Sequence, residues 1–149
     1  MPLKIQIKQG KKIIVNGAVL ENVSGQTVAL VLMNEATVLR DSDILTPDEA
    51  VSPASRVYYA IQIMYLFPEH RADSESKLET LLNEYEAAAP SAVEIIADLR
   101  RLVSEENYYP AMKRARDLIG HETGVLKDVE ESIAEKLSSA TPRGESQND

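Results

Sequence analysis

The chain has 149 residues, no cysteine and a net charge of −8, from 16 Lys and Arg against 24 Asp and Glu. This length suffices for one ordinary domain with its own hydrophobic core. The lack of cysteine excludes disulfides and Cys-based zinc or redox sites, and we expect a cytoplasmic protein. The N-terminus lacks the apolar block of a signal peptide, and no window reaches the roughly 20 apolar residues of a membrane span, so we expect no membrane partner.

Positive charge is concentrated at the start of the chain. Residues 1–20 contain four lysines and no Asp or Glu, which leaves residues 21–149 at −12. An acidic surface repels phosphate, so the net charge alone argues against a nucleic-acid partner. The uneven distribution instead predicts a basic strand edge on an acidic body.

The first forty residues carry strand patterns. Leu3, Ile5 and Ile7 alternate with polar residues, which is typical of a half-buried strand. Asn16-Gly17 lies between two apolar runs and indicates a type I′ hairpin turn, so residues 12–15 and 18–23 should pair. Further strands follow at 27–33 and 36–40. Because 28–33 is apolar on both faces, we expect a central strand covered on both sides, and a second copy of the chain in a homodimer would supply the missing cover.

The chain from residue 46 to 137 predicts helices. Thr46 and Ser52-Pro53 are helix start signals, and the segment 54–67, apolar nearly all round, predicts a buried helix packed on the sheet. Amphipathic patterns follow at 77–89, 93–103 and 107–119, the last ended by Gly120, and a fifth helix is expected at 123–137. Residues 138–149 lack an apolar anchor and should be disordered.

Together these elements predict an α+β fold. We expect an N-terminal antiparallel β-meander of about five short strands packed on a buried helix, followed by a small C-terminal helical bundle. The predicted organisation is a β-rich unit over 1–45, a helical unit over 46–137 that shares its core, and a disordered tail at 138–149.

The sequence offers no convincing catalytic or metal site. His70 and His121 are the two imidazoles of the chain, one in a polar connector and one at a predicted helix end, and we interpret both as solvated. The acids between Asp41 and Glu49 lack the turn glycine and the bidentate glutamate of a calcium loop. We therefore expect no enzyme, no metal and no cofactor.

The tyrosines have two interpretations. Aromatic rings can stack on single-stranded bases, but Tyr58, Tyr59 and Tyr65 stand among large apolar residues, which favours core rings whose hydroxyls reach the rim. Tyr108 and Tyr109 lie beside Asn and Pro, and we expect them to be exposed in a protein interface.

The candidate binding residues are Lys4, Lys8, Lys11, Lys12 and Arg40. Lysines on a strand edge often only keep it soluble and unpaired. The alternative is a phosphate-binding strip, and four contacts with single-stranded RNA would give a log–log salt slope of roughly −3. Charge alone leaves both interpretations open.

The chain resembles the FlbT family of flagellar biosynthesis repressors from about Leu3 to Leu126. The most specific block is Gly10, Asn16-Gly17-Ala18-Val19, Leu30, Leu32, Asn34, Ala36, Leu39, Ala50, Pro53, Tyr58, Gln62 and Pro68. A second block is Ala111-Met112-Lys113, Arg116, Leu118, Glu122 and Leu126.

That resemblance implies a post-transcriptional regulator, which associates with the 5′ untranslated region of flagellin mRNA and affects its stability or translation beside the partner FlaF. It brings no catalytic residue and no set of RNA contacts. The rival interpretation is a protein-binding adaptor that captures flagellin or FlaF on its acidic helical half, with only indirect effects on mRNA.

Overall fold

A computed structural model of the chain describes residues 2–145, with side chains described to residue 138. The strands are β1 (Leu3–Ile7), β2 (Lys12–Val15), β3 (Ala18–Glu21), β4 (Val28–Leu32) and β5 (Val38–Arg40). The helices are α1 (Pro53–Leu66), α2 (Arg71–Ala88), α3 (Val93–Ser104) and α4 (Tyr108–Glu145). Short 3₁₀ turns occupy Asp41–Asp43, Pro47–Glu49, Pro68–His70 and Pro90–Ala92. This order of elements confirms the predicted α+β class.

The predicted hairpin is present at Asn16-Gly17. β2 and β3 are antiparallel, and Val15 pairs with Ala18 across the two-residue turn. Asn16 has φ 51° and Gly17 has φ 84°. Positive φ at both central residues is what a type I′ turn requires, and its twist matches that of the flanking strands.

The strands form two antiparallel sheets where we expected one meander. A ribbon of two strands pairs β1 with β4, and a three-stranded sheet has the order β3-β2-β5. Ile5 pairs with Leu30 in the ribbon, while Ile13 of β2 pairs with Leu20 on one side and Arg40 on the other. β4 therefore returns to the first strand and does not form a hairpin with β3.

The central strand β2 of the three-stranded sheet is buried on both faces. Successive side chains of a strand point to opposite faces, so the adjacent residues Ile13 and Ile14 enter different clusters. Ile14 and Leu39 join the helical core. Ile13 packs with residues of the ribbon, including Ile5 and Ile7. The fold is thus layered as ribbon, sheet and helices.

The expectation that residues 28–33 form a central strand is wrong, whereas cover of this strand by a second copy of the chain stays a prediction. β4 lies in the two-stranded ribbon, and only its inner face packs on the sheet. Val31 is 53% exposed and Met33 is 74% exposed. An apolar run cannot by itself distinguish a buried strand from an exposed ribbon, because both satisfy the same local pattern.

α1 matches the predicted buried helix and packs on the sheet as expected. Its N-cap residue Ser52 accepts a hydrogen bond from the Ser55 backbone N–H at 3.2 Å, and its apolar residues form the centre of the helical core. Gln62, 3% exposed, accepts from the Leu45 N–H and donates to the Leu45 carbonyl, both at 2.9 Å. These bonds fasten the loop before α1 to the helix.

α3 matches the predicted segment 93–103, whereas α2 and α4 differ from the predictions. α2 begins at Arg71, where a polar connector was expected. The Arg71 side chain donates to the Met64 carbonyl at 2.8 Å, and its guanidinium carbon lies 4.4 Å from the Tyr108 ring centroid. Tyr108 packs in the helical core and is only 8% exposed, so the expectation that Tyr108 is exposed is wrong.

α4 is one continuous helix, so the predicted end at Gly120 and the separate fifth helix are wrong. A glycine inside a helix costs only about 1 kcal/mol. Contacts beyond it offset that cost: Glu122 accepts from the Ala54 N–H at 3.1 Å, and His121 bonds Tyr85. The helix continues to Glu145, into the segment predicted to be disordered, and residues 146–149 lie outside the described residues.

No helix within residues 2–145 is long and apolar enough to cross a lipid bilayer.

We predict that Gly17→Ala destabilises the protein by about 2 kcal/mol or more. An L-residue with a positive φ is strained by about 1–2 kcal/mol, and the added Cβ would also lie 3.1 Å from Phe67 Cε1. The urea midpoint measures the loss. Gly10→Ala is the matched control, because Gly10 has φ 78° but open space around its Cβ position, and it should lose only the backbone term. Equal losses in the two variants would contradict a role for Phe67.

Candidate nucleic-acid interface

A groove of about 370 Å³ lies between the end of β1 and the adjoining ends of β2 and β5. Four of the five predicted basic residues line it, and we call it the basic groove: Lys8, Lys11, Lys12 and Arg40. Lys8 follows β1, Lys11 precedes β2, Lys12 begins β2, and Arg40 ends β5. Arg40 comes from far along the chain because β5 pairs with β2, with Arg40 opposite Ile13. Ile5, Ile7 and Ile13 supply the apolar lining.

The turn between β1 and β2 brings the lysines together. Gly10 has φ 78°, a conformation that L-residues rarely adopt, and the Lys11 N–H donates to the Lys8 carbonyl at 3.0 Å. Lys8 and Lys11 therefore stand at the two ends of one tight turn. The fifth residue, Lys4, lies outside the basic groove, on the ribbon opposite Val31.

Asn22, which the sequence did not identify as a candidate, fixes this turn through hydrogen bonds. It is 7% exposed, and its side-chain amide donates to the Ile7 carbonyl at 2.8 Å and the Gln26 carbonyl at 2.9 Å. Its backbone carbonyl accepts from the Gly10 N–H at 3.0 Å. The sequence did contain a sign of this role, because an Asn stands between a strand and a Ser-Gly turn. Asn side chains often form hydrogen bonds with backbone groups of turns.

The basic groove contains one carboxylate, that of Asp41. Its Oδ2 atom accepts a hydrogen bond from the Lys12 backbone N–H at 2.8 Å. None of the ion pairs found among residues 2–138 involves the side chains of Lys8, Lys11, Lys12 or Arg40. Four cationic groups thus face one carboxylate, which leaves the basic groove with a surplus of positive charge for an anion.

A hydrogen-bonded cluster around Asp43 supports the wall of the groove. Arg116 of α4 donates to the Ser42 carbonyl at 2.7 Å and to Asp43 Oδ1 at 3.1 Å. The Tyr58 hydroxyl donates to the Asp43 carbonyl at 2.6 Å, and its ring lies under the Arg116 guanidinium, 5.1 Å from centroid to carbon. The turn that follows β5 is thereby fastened to α1 and α4.

The tyrosine hydroxyls in this region remain protonated donors. Burial raises the pKa of Tyr58, and the nearby Arg116 only partly opposes that increase. Burial likewise raises the pKa of Tyr65, whose hydroxyl donates to the Val38 carbonyl at 3.0 Å. Tyr58 is 2% exposed, which agrees with its interpretation as a core ring whose hydroxyl reaches the rim.

The other candidate residues have structural roles. His121 is not solvated as expected: its Nδ1 lies 3.0 Å from the Tyr85 hydroxyl and its Nε2 lies 2.8 Å from Ser91 Oγ, which joins α4 to α2. His70 is exposed at the start of α2. No group of His, Asp and Glu within the described residues could hold a metal ion.

We predict that Arg116→Leu lowers the free energy of unfolding by about 2 kcal/mol, because Asp43 would lose its guanidinium partner while its side chain is only 14% exposed. Arg101→Leu is the control, since Arg101 is 56% exposed and its ion pairs are with the exposed acids Asp98 and Glu105, three and four residues away. Urea unfolding of both variants measures the difference. Similar small losses would show that the Asp43 cluster adds no stability.

Comparison with known proteins gives one consistent result. A family model described as "Flagellar protein FlbT" matches residues 3–126. The chain is 35% identical over 137 residues to the flagellum biosynthesis repressor protein FlbT of Caulobacter vibrioides, covering 90% of this chain and 96% of that protein. Probable repressors of the same name from Caulobacter sp. (strain K31) and Bradyrhizobium diazoefficiens are 36% and 34% identical, over 82% of this chain and 94% and 83% of their own lengths.

No solved structure matches the chain. The matched segment agrees with the resemblance predicted from the sequence, and the relatives are named as repressors, which confirms the prediction that the chain is not an enzyme. The chain belongs to the FlbT family of flagellar proteins.

Proposed function

We propose that this chain regulates flagellin synthesis after transcription, by binding the 5′ untranslated region of flagellin mRNA and affecting its stability or translation. Relatives named as flagellum biosynthesis repressors support a regulatory role in flagellum biosynthesis. The observation that carries the RNA-binding part is the convergence of Lys8, Lys11, Lys12 and Arg40 on one groove. The proposed site of action is the cytoplasm, where the message is translated.

The charge distribution supports binding in a single orientation. A cleft lined by one sign of charge concentrates the field and attracts an ion of opposite sign. Residues 21–149 carry −12, so the rest of the surface repels RNA and leaves the basic groove as its point of contact. Arg40 offers a planar guanidinium that can bind a phosphate through two donors, while the lysines act as point charges. Affinity should be modest and sensitive to salt.

We predict that reversal of Lys8, Lys11 and Lys12 to Glu abolishes binding of the flagellin leader RNA. Fluorescence anisotropy of a labelled leader RNA at several salt concentrations measures both affinity and salt dependence. Four phosphate contacts give the unmodified protein a log–log slope of roughly −3, and the reversed variant should show no binding at the lowest salt.

The control is an equal charge reversal elsewhere, at Arg56, Lys77 and Lys127, three exposed residues of the helices. This variant has the same net charge and should retain RNA binding. Asp41→Asn makes the basic groove more positive, because it removes the one carboxylate there. The asparagine side-chain oxygen can still accept the hydrogen bond from the Lys12 N–H. The Asp41→Asn variant should bind RNA more tightly. Unchanged affinity in the reversed triple variant would eliminate the groove as the RNA site.

A second candidate function is protein binding, favoured by an exposed apolar stripe on α4. The stripe consists of Val125, Leu126, Val129 and Ile133, which are 41%, 56%, 49% and 52% exposed. The spacing of Val125, Val129 and Ile133 puts them on one helix face. Val125 and Leu126 also line an apolar groove of about 390 Å³ with Leu81, Ala88 and Ala89. A contiguous exposed apolar surface of this kind is typical of an interaction site.

Charge identifies the kind of segment that fits the apolar stripe. Residues 122–137 contain five acids and two lysines, and Glu84 and Glu122 line the adjoining groove. A second copy of the same acidic helix would be repelled, whereas an amphipathic helix with basic flanks would be attracted. We propose that such a helix of flagellin or FlaF, the partners implied by the family, binds here.

We predict that Val129→Asp weakens binding of purified flagellin or FlaF at least tenfold, because a charge would be buried in the apolar contact. Gly124→Asp adds the same charge on the opposite face of α4, where nothing lies within 4 Å of the added Cβ, and should leave binding unchanged. Isothermal titration calorimetry measures both, and RNA binding should be the same in the two variants. Equal affinities for the partner, or self-association of the unmodified protein through this stripe, would contradict the proposal.

A further inference from the structure

An aromatic pocket of about 240 Å³ adjoins the basic groove, and Arg40 lines both. We call this the aromatic pocket, and its lining also includes Tyr65, Tyr109, Ala36, Val38 and Asp43. The turn after β5 separates the two sites: Asp41 and Ser42 line the basic groove, and Asp43 lines the aromatic pocket.

The two tyrosine rings are held in place before any ligand arrives. Their centroids are 5.8 Å apart, with an angle of 43° between the planes. The Tyr65 hydroxyl donates to the Val38 carbonyl at 3.0 Å, and the Tyr109 hydroxyl donates to Asp43 Oδ2 at 3.3 Å. Asp43 is itself fixed by Arg116 at 3.1 Å. Fixed rings lose little conformational entropy when a flat ligand stacks on them.

Tyr109 is the ring that a ligand can reach. It is 37% exposed, and Lys113 Nζ lies 5.1 Å from its centroid. The Tyr65 ring is tilted against Tyr109 and does not lie flat on it, and the flexible Lys113 side chain can move from the ring to a phosphate. The Tyr109 ring therefore suits a planar group attached to an anion. A nucleotide of single-stranded RNA has this combination, because its base is flat and its phosphate is negative.

We propose that the aromatic pocket receives one base of a single-stranded RNA, stacked on Tyr109, while the neighbouring phosphates of the same strand lie in the basic groove. Arg40, which lines both sites, contacts the phosphate between them. This inference rests on the proposed RNA binding and adds a part to it: the lysines attract any polyanion, whereas the aromatic pocket selects an unpaired base. The message would then be held at a single-stranded stretch of its leader.

The test compares two variants of Tyr109 with two probes. Tyr109→Leu removes the ring, and Tyr109→Phe keeps the ring but loses the hydroxyl. The probes are a labelled single-stranded oligonucleotide from the flagellin leader and inorganic polyphosphate of similar charge, which has no bases. We expect Tyr109→Leu to bind the oligonucleotide about tenfold to hundredfold more weakly, while Tyr109→Phe stays close to the unmodified protein. Polyphosphate should bind all three equally.

A third variant avoids any disturbance of the Tyr109 contacts. Ala36→Leu puts a larger side chain into the aromatic pocket without removing a hydrogen bond, so it should weaken RNA binding and leave polyphosphate binding unchanged. Urea midpoints of all variants establish that they are folded.

The possible failures are distinguishable. If Tyr109→Leu and Ala36→Leu bind RNA like the unmodified protein while the reversed lysine variant does not, the base pocket is refuted and the proposed function stands. If Tyr109→Leu loses polyphosphate binding equally, the ring supports the phosphate site and the base assignment is refuted. If the unmodified protein binds no single-stranded RNA at low salt, the proposed function and this inference both fail.

Discussion

Two neighbouring isoleucines of β2 have to be buried on opposite sides of one sheet, and the rest of the structure depends on that requirement. Ile13 is 2% exposed and Ile14 is 6% exposed. Burying both requires a layer on each side, since the side chains of adjacent strand residues point in opposite directions. The helices cover Ile14, and the β1–β4 ribbon covers Ile13. The same ribbon leads from β1 into the turn that carries Lys8 and Lys11, and both residues line the basic groove with Arg40.

Charge in this molecule is separated by layer. The lysines of the first twenty residues surround the sheet and ribbon, while the helices carry most of the acids. Salt bridges between α2 and α3, such as Arg100 with Glu79 at 3.3 Å and Glu86 at 2.9 Å, lie within the helical layer. Acids of the helical layer are thus paired with arginines of the same layer. The lysines of the basic groove remain available to an external anion.

Local signals in the sequence predicted local structure well. Asn16-Gly17 specified the hairpin and the apolar run after Ser52 specified α1, because turn chemistry and capping act within a few residues. The pairing of β4 with β1 joins strands more than twenty residues apart, and no local pattern encodes it. The continuity of α4 through Gly120 was missed for a related reason, since contacts of His121 and Glu122 with other elements outweigh a small local cost.

The candidate site was predictable in part. The lysines were found because they are close in sequence, and Arg40 because it ends a strand. Lys4 was included with Lys8 as a lysine of the strand edge, but β1 ends at Ile7 and Lys8 belongs to the turn. Arg116 and Asn22 support the groove from distant positions, and their roles depend on backbone groups that only the folded chain brings near.

The length of α4 has a geometric consequence. A helix of 38 residues measures about 57 Å, and within the described side chains Leu118 is its last fully buried residue. The distal part is therefore an arm that extends from the globular layers. A protein segment bound to this arm would lie away from an RNA bound in the basic groove, so the two ligands would not overlap. The two proposed ligands would then bind one molecule at the same time.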